Sequence, residues 1–237
     1  MATVCAEGVT KIYRSGRGTK GPPIQAVHSV DLAVAPGELV LLMGPSGSGK
    51  STLLSMIGCI LRPTSGRISL NGREVTGLRD EEMAKVRLRE IGFVFQDASL
   101  LPALTALENV EMPLELQRIR GAEARRRAMA LLESVGLGAK ANEHPRDLSG
   151  GEKQRVGIAR AMAANPGILL ADEPTAALDL ASGRTVFGHL RRLAREEGRA
   201  VLVVTHDHRM EEFATRIVKM EDGTLAGQET CPTRGAA

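Results

Sequence analysis

Eight residues in the first quarter of the chain, Gly44-Pro45-Ser46-Gly47-Ser48-Gly49-Lys50-Ser51, have the spacing G-x-x-x-x-G-K-[ST]. Glycines permit backbone angles that turn successive N–H groups inward, forming a nest for anionic oxygens. The lysine adds a cation that reaches terminal phosphates, and the serine hydroxyl adds a hard oxygen for Mg²⁺. Such a loop must follow a strand and open a helix. Leu39–Met43 is an apolar run directly before it, and the apolar spacing of Thr52–Ile60 suits the helix. A glycine-rich turn without chemistry is the bland alternative, and this context argues against it. Gly44, Pro45, Ser46, Gly47, Ser48, Gly49, Lys50, Ser51 and Thr52 are therefore the expected phosphate-binding residues.

Further along, Ile168-Leu169-Leu170-Ala171-Asp172-Glu173 is an apolar run that ends in two carboxylates. In a parallel sheet, strand C-termini collect at one edge, which would face Asp172 toward the loop lysine and the metal. Alternation along a strand points the two carboxylates to opposite faces, and that suits two tasks. Asp172 is expected to orient Mg²⁺ through its water shell. Glu173 is expected beside the terminal phosphate, polarising the attacking water. Alone, the pair would read equally well as an exposed acidic turn.

A second glycine motif, Leu148-Ser149-Gly150-Gly151-Glu152-Lys153-Gln154, precedes a helical pattern that runs through Ala164. Ser149 and Glu152 have the spacing of a capping box. A cap does not require two adjacent glycines. Gly150-Gly151 would let another molecule's phosphate approach the backbone N–H groups at this helix start.

These groups need a scaffold. Leu39–Met43, Ile168–Ala171 and Ala200–Val204 are short, continuous apolar runs, as expected of strands covered on both faces in a parallel α/β sheet. Ile91–Phe95 is a weaker strand candidate, and Arg67–Leu70 reads as a strand entering a tight turn at Asn71-Gly72. From Leu104 to Ala164 the periodicity becomes helical. Ala122 to Val135, for example, places Ala128, Leu131, Leu132 and Val135 on one face with arginines opposite. A mostly helical insertion in an α/β core is expected, roughly 97–164, flanked by core segments 1–96 and 165–227, with a frayed polar tail at 228–237. No internal repeat is visible.

Composition narrows the function. Of 237 residues, 43% are apolar and 25% charged, so a well-cored globular domain is expected. One tyrosine, four phenylalanines and no tryptophan argue against an aromatic carbohydrate groove or a base-stacking RNA platform. A net charge of +3 is too small to point to nucleic acid, and Arg125-Arg126-Arg127 reads as a solvated helix face. Cys5, Cys59 and Cys231 lack ligand spacing, which argues against zinc and a disulfide framework and fits a reducing cytoplasm. The most apolar stretch, Leu53 to Leu61, is far short of the roughly 20 residues that span a bilayer. No export signal is visible at Met1 to Thr10.

Taken together, the motifs resemble the ATP-binding subunits of ABC transporters. The resemblance covers roughly Val4 to Gly227 and keeps the family's order: phosphate loop, Gln96, LSGGE, Asp172-Glu173, Ala177-Leu178-Asp179 and His206. It implies ATP and Mg²⁺ as ligands, and a P-loop core with a mostly parallel sheet, an N-terminal antiparallel β subdomain and an inserted helical subdomain. By resemblance, Gln96 contacts Mg²⁺ or water and links the site to the transporter. His206 contacts the γ-phosphate, Asp179 lies on a loop that crosses to a second subunit, and Tyr13 stacks on adenine. Glu173, His206 and Gln96 are the implied catalytic group; Ser51, Gln96 and Asp172 the implied metal group. Ser149, Gly150, Gly151 and Glu152 would meet ATP held by another subunit's phosphate loop. Two copies would then pair head to tail, closing on ATP and reopening after hydrolysis to drive a membrane permease.

Leu100-Leu101-Pro102-Ala103-Leu104-Thr105-Ala106-Leu107-Glu108-Asn109-Val110 and Ile91–Gln96 resemble the branch serving lipoprotein-release and macrolide-efflux systems. The implied role is export or extraction of a lipoprotein, peptide or amphipathic compound from the cytoplasmic face of the inner membrane. Departures from that branch are Ala176-Ala177 before Leu178-Asp179, Lys153 in place of glutamine, and Gly157 where alanine is usual. A cell-division regulator that pairs with a membrane protein shares every motif. A soluble ABC-type ATPase acting on DNA or the ribosome usually carries insertions or fused halves that this chain lacks, and a small-molecule kinase has no use for LSGGE.

Overall fold

The structure, a computed structural model, describes residues 3–14 and 22–230. Most of the basic glycine-rich loop after Tyr13, together with Cys231, lies outside the described residues. Two sheets form the framework. The first is antiparallel, in the order β2 (Ile24–Val34), β1 (Val4–Tyr13), β4 (Ser65–Leu70), β5 (Arg73–Glu74). The Asn71-Gly72 turn joins β4 to β5 with both residues at positive φ, 49° and 77°. That is the backbone of a two-residue hairpin loop, as Asn-Gly dictates.

The second sheet has six strands in the order β10 (Thr224–Thr230), β9 (Arg216–Glu221), β3 (Leu39–Met43), β8 (Ala200–Val204), β7 (Ile168–Asp172), β6 (Ile91–Val94). All neighbours are parallel except the β9–β10 edge pair. β3 and β8 are buried along their whole length. Their unbroken apolar composition reflects cover on both faces. On one face lie α1 (Lys50–Ile57) and the antiparallel sheet, sharing a core that includes Leu42, Leu54, Ile68 and Val218. On the other, α5 (Gly150–Met162) and α6 (Leu180–Arg195) bury Leu41, Leu169, Phe187 and Val203.

The helical insertion adds α3 (Ala106–Leu116) and α4 (Ala122–Ser134), with α2 (Asp80–Glu90) leading into β6. Its own core joins Leu107, Leu114 and Leu132 to Val156 and Ala159 of α5. α5 thus has two buried faces, one toward the sheet through Ile158 and Met162 and one toward the insertion. The loop before α3 is tied by Asn109, which is fully buried. Its amide donates to the carbonyls of Leu101, Leu104 and Thr105 and its oxygen accepts from Leu101 N. Thr105 and Glu108 close a capping box on the same turn. This accounts physically for the Leu101–Asn109 stretch as one unit.

The expected elements are present, with shifted edges. The helix after the glycine loop starts at Lys50 rather than Thr52, because the loop's backbone already turns at Gly49. Within the tail expected at 228–237, β10 continues to Thr230, which pairs with Arg216. Antiparallel pairing satisfies the backbone of a polar edge strand without needing apolar side chains. The rest of that tail, 231–237, lies outside the described residues.

Gly157 sits inside α5, and the atoms nearest to a Cβ there would be Ala98 Cβ, Cα and O at 3.4, 3.6 and 3.7 Å, all ordinary contacts. Gly157→Ala should therefore stabilise the fold by about 0.5–1 kcal/mol, since glycine weakens helix interiors. Thermal unfolding checks this: a Tm rise of about 1–4 °C is expected for a domain of this size, and a fall would mean that α5 cannot take the methyl group.

Candidate active site

Strand register builds the site. Leu42 of β3 and Asp172 of β7 both pair with Val204 of the strand between them, β8. The three strands therefore end at one level, and the residues that follow, Gly44, Glu173 and His206, emerge along one edge. β6 lies beside β7 with Val94 opposite Ala171, which brings Gln96 to the same edge.

The glycine loop is clamped from behind. A Cβ on Gly44 would run into the carbonyl oxygen of Met220, and one on Gly49 into that of Ala26. Gly49 also takes φ 99°, so glycine is required there twice over. Gly223, in the β9–β10 turn, donates its N–H to Ser48 O at 3.0 Å and accepts from His28 N at 2.8 Å. Lys50 is 7% exposed. Its ammonium donates to Gly44 O (2.8 Å), Pro45 O (2.7 Å) and Ser48 Oγ (3.3 Å). Burial lowers its pKa, while the charges of Glu173 and Asp172 act to raise it.

Ser51 donates its hydroxyl to Asp172 Oδ1 at 2.9 Å, joining the loop to the end of β7. Burial raises the Asp172 pKa, and the Ser51 hydrogen bond opposes that shift. Glu173 departs from the alternation expected of a strand. Its N–H still bonds Val204 O, but its φ is +46°. A left-handed residue breaks the two-residue period, and the two carboxylates take different partners, Asp172 the Ser51 hydroxyl and Glu173 the His206 ring. Glu173 Oε1 lies 2.7 Å from His206 Nδ1. A non-glycine residue in this conformation stores strain of the kind found at working sites.

These groups line one cavity of about 650 Å³, large enough for a nucleotide. The structure brings together Pro45, Ser46, Gly47, Gly49 and Lys50 from the loop. Ser51, Thr52, Gln96, Glu173 and His206 join them from the predicted set. Gly44 and Ser48 sit just behind as hydrogen-bond partners of Lys50. Asp172 is reached through Ser51.

Others are not brought in. Tyr13 ends β1, is 40% exposed and has Lys11 Nζ 5.4 Å from its ring centroid; it does not line the cavity. Ser149, Gly150, Gly151 and Glu152 do not line it either. They pack beside the other motif assigned to a second subunit: a Cβ on Gly150 would touch Leu178, and one on Gly151 would touch Ser182. Asp179 caps α6, accepting from Ser182 N and Oγ. The capping box at α5 is formed, with Glu152 N donating to Ser149 Oγ and Ser149 N to Glu152 Oε2.

Several contributors carry no sequence signal of their own. Ala26 and Ala176 line the cavity, and Gly223 braces the loop. Gln154 donates to Phe95 O at 2.9 Å, while Arg160 donates to the carbonyls of Ala98 and Ser99. Thus α5, which opens with LSGGE, grips the segment that carries Gln96. The buried polar side chains Gln154 and Arg160 could have been suspected from their place in an otherwise apolar helix face.

A phosphate loop on a parallel sheet, with an acidic strand end and a histidine on the same edge, defines a P-loop NTPase. The family model for "ABC transporter" matches residues 27–176. A lipoprotein-releasing system ATP-binding protein LolD from Anaeromyxobacter dehalogenans is 48% identical over 94% of this chain and 92% of its own length. The macrolide export ATP-binding/permease protein MacB of Syntrophobacter fumaroxidans is 43% identical over 95% of this chain, which spans 31% of that longer protein. A dimeric post-hydrolysis structure of the Methanocaldococcus jannaschii ATP-binding cassette MJ0796, bound to ADP and Pi, superposes with a TM-score of 0.87. It is 45% identical and covers 98% of this chain and 100% of its own. The chain belongs to the ABC transporter family, within the branch that holds the LolD and MacB ATP-binding proteins, and it is an ATPase.

The α5 cap offers a direct electrostatic check. A hydrogen bond from Lys140, with help from Ser149 N, pulls the Glu152 pKa down from its ordinary 4.5 to about 2. A depressed carboxylate stabilises the fold above its unfolded pKa, and the contribution is lost as pH falls through the folded one. Its window is therefore the fall from 4.5 to about 2. In Lys140→Met, the Glu152 carboxyl followed by NMR should titrate closer to 4.5. An unmoved midpoint would remove Lys140 as the cause.

Proposed function

We propose that this chain couples ATP-driven closure of a head-to-tail homodimer to export or extraction of a lipoprotein, peptide or amphipathic compound through a separate membrane permease. The observation that carries the reading is a separation. The phosphate loop, Gln96, Glu173 and His206 share one cavity, whereas LSGGE stands outside it beside Leu178 and Ser182. In one chain the two halves of the site serve different nucleotides. A second copy, turned to face the first, supplies the missing half to each, giving two equivalent composite sites.

Within each site the chain's own groups divide the work. Lys50 exchanges the loop carbonyls it now holds for β- and γ-phosphate oxygens, and the loop N–H groups and the α1 N-terminus bind the remaining charge. Thr52 lies next along α1. Among the described residues no cluster of three or more His, Cys, Asp or Glu could hold a metal. Ser51 with Asp172 fits Mg²⁺ instead, an ion that takes one or two protein oxygens and completes its shell with water and phosphate. When bound, Mg²⁺ neutralises charge that builds on the phosphates. Glu173 holds and polarises the attacking water, and His206, fixed through Nδ1, offers Nε2 to the γ-phosphate. Tyr13 supplies the flat face for adenine.

Support for a permease comes from an apolar groove next to Gln96. It has a volume of about 440 Å³ and is lined by Leu88, Phe93, Phe95, Leu101, Met112 and Leu116 among others. Phe95, Leu101 and Leu116 are exposed there. A short amphipathic helix on the cytoplasmic side of a permease suits this shape. Seated there it would press on the segment that carries Gln96. No helix among the described residues is long and apolar enough to cross a membrane, so the proposed place is the inner membrane's cytoplasmic face, held by that partner.

Glu173→Gln should lower ATP turnover about 100-fold or more, the usual worth of a positioned general base, while ATP binding persists and holds the dimer closed. Phosphate release and light scattering, measured with the co-purified permease, check both. Retained turnover would reassign the base, and a monomer at saturating ATP would remove the composite site. Tyr13→Ala should weaken ATP binding with an unchanged melting temperature; unaltered affinity would release Tyr13 from the adenine role.

A further inference from the structure

A second cavity, of about 240 Å³, lies between the helical insertion and the core, walled by α4, α5 and α6. Its interior is apolar: Leu131 of α4, Ile158 and Met162 of α5, Leu193 of α6. None of these residues lines the nucleotide cavity.

The polar groups around it are unbalanced. His189 and Arg192 of α6 line the cavity. Arg155 lies one turn before Ile158 and Ala159 on α5, and its charge acts on His189. Among the described residues the side chains of these three make no hydrogen bond or ion pair, and the Nε atoms of Arg155 and Arg192 are shut off from solvent without a partner. Burial, then the charges of Arg192 and Arg155, lower the His189 pKa. The one carboxylate at the cavity, Glu197, lies 3.5 Å from Arg199 Nη2. Buried donors without acceptors are costly, and elsewhere in this fold arginines such as Arg160 and Arg216 are met by carbonyls or carboxylates, although Arg199 also keeps a buried Nε without a partner. An apolar chamber beside unpaired cationic groups lacks one thing, an anion with an apolar body.

We propose that this cavity binds an amphiphilic anion, with its carboxylate or phosphate on Arg192 and His189 and its short alkyl or aryl body against Leu131, Ile158 and Met162. The occupant touches α4, α5 and α6 at once and so ties the helical insertion to the core. Binding does not depend on the transport reading.

Calorimetry on the full chain, below micellar concentrations, tests this with four probes of equal chain length: octanoate, octyl phosphate, octanol and octyltrimethylammonium. The anions should bind, the cation should not, and octanol should bind about tenfold more weakly or worse, the worth of a charge-assisted hydrogen bond. Arg192→Gln should weaken octanoate by a similar factor. Ala130→Phe, on the exposed cavity lip, should block both anions without lowering the melting temperature. Binding of one anion alone supports the site and identifies its headgroup. Equal binding of octanol and octanoate, no binding of either anion, or indifference to both variants would overturn the proposal.

Discussion

The constraint on which the rest depends is the common level at which three parallel strands end. Asp172 and Leu42 flank Val204 in register. Because the strands run the same way, everything the chain attaches after them arrives at one edge. A slip of one residue in β7 would carry Asp172 away from Ser51 and swap the cores into which Leu169 and Leu170 pack. Complete burial of Leu169, Leu170 and Ala171 resists such a slip. The chemistry at the edge is thus fixed by apolar packing several ångströms beneath it.

A second layer of restraint comes from elements that contribute no chemistry. The β9–β10 hairpin supports the glycine loop through Met220 and Gly223, and β2 supports it through Ala26. Lys50 is held by the loop it serves, with its three donors satisfied by oxygens of Gly44, Pro45 and Ser48. Preorganised N–H groups need little rearrangement when an anion arrives. Strain at Glu173 belongs to the same design, since its left-handed turn accompanies a carboxylate set against the His206 ring.

α5 connects the parts that have to move together. Its first turn carries the LSGGE cap, its middle holds Phe95 O, and Arg160 near its end holds Ala98 O and Ser99 O. Its two apolar faces belong to different cores. A rotation of the helical insertion would move α5, and with it the segment around Gln96 and the groove beside it. The nearly free substitution expected at Gly157 shows where this helix has room to spare.

Much was legible in the sequence because the signals are local. Glycine spacing after an apolar run specifies the phosphate loop, an apolar strand ending in Asp172-Glu173 specifies the acidic edge, and Ser149 with Glu152 specifies a cap. Each rests on backbone conformations and hydrogen bonds made within a few residues. The left-handed turn at Glu173 was not legible, because a single positive φ depends on what surrounds the turn. The strand pairing of 228–230 had no apolar signal, because an edge strand is held by its neighbour's backbone. The clamp by Ala26 and Gly223 and the unpaired Nε atoms of Arg155 and Arg192 left no local trace. Those contacts join residues far apart in the chain, and only the tertiary structure brings them within hydrogen-bond reach or leaves them without a partner.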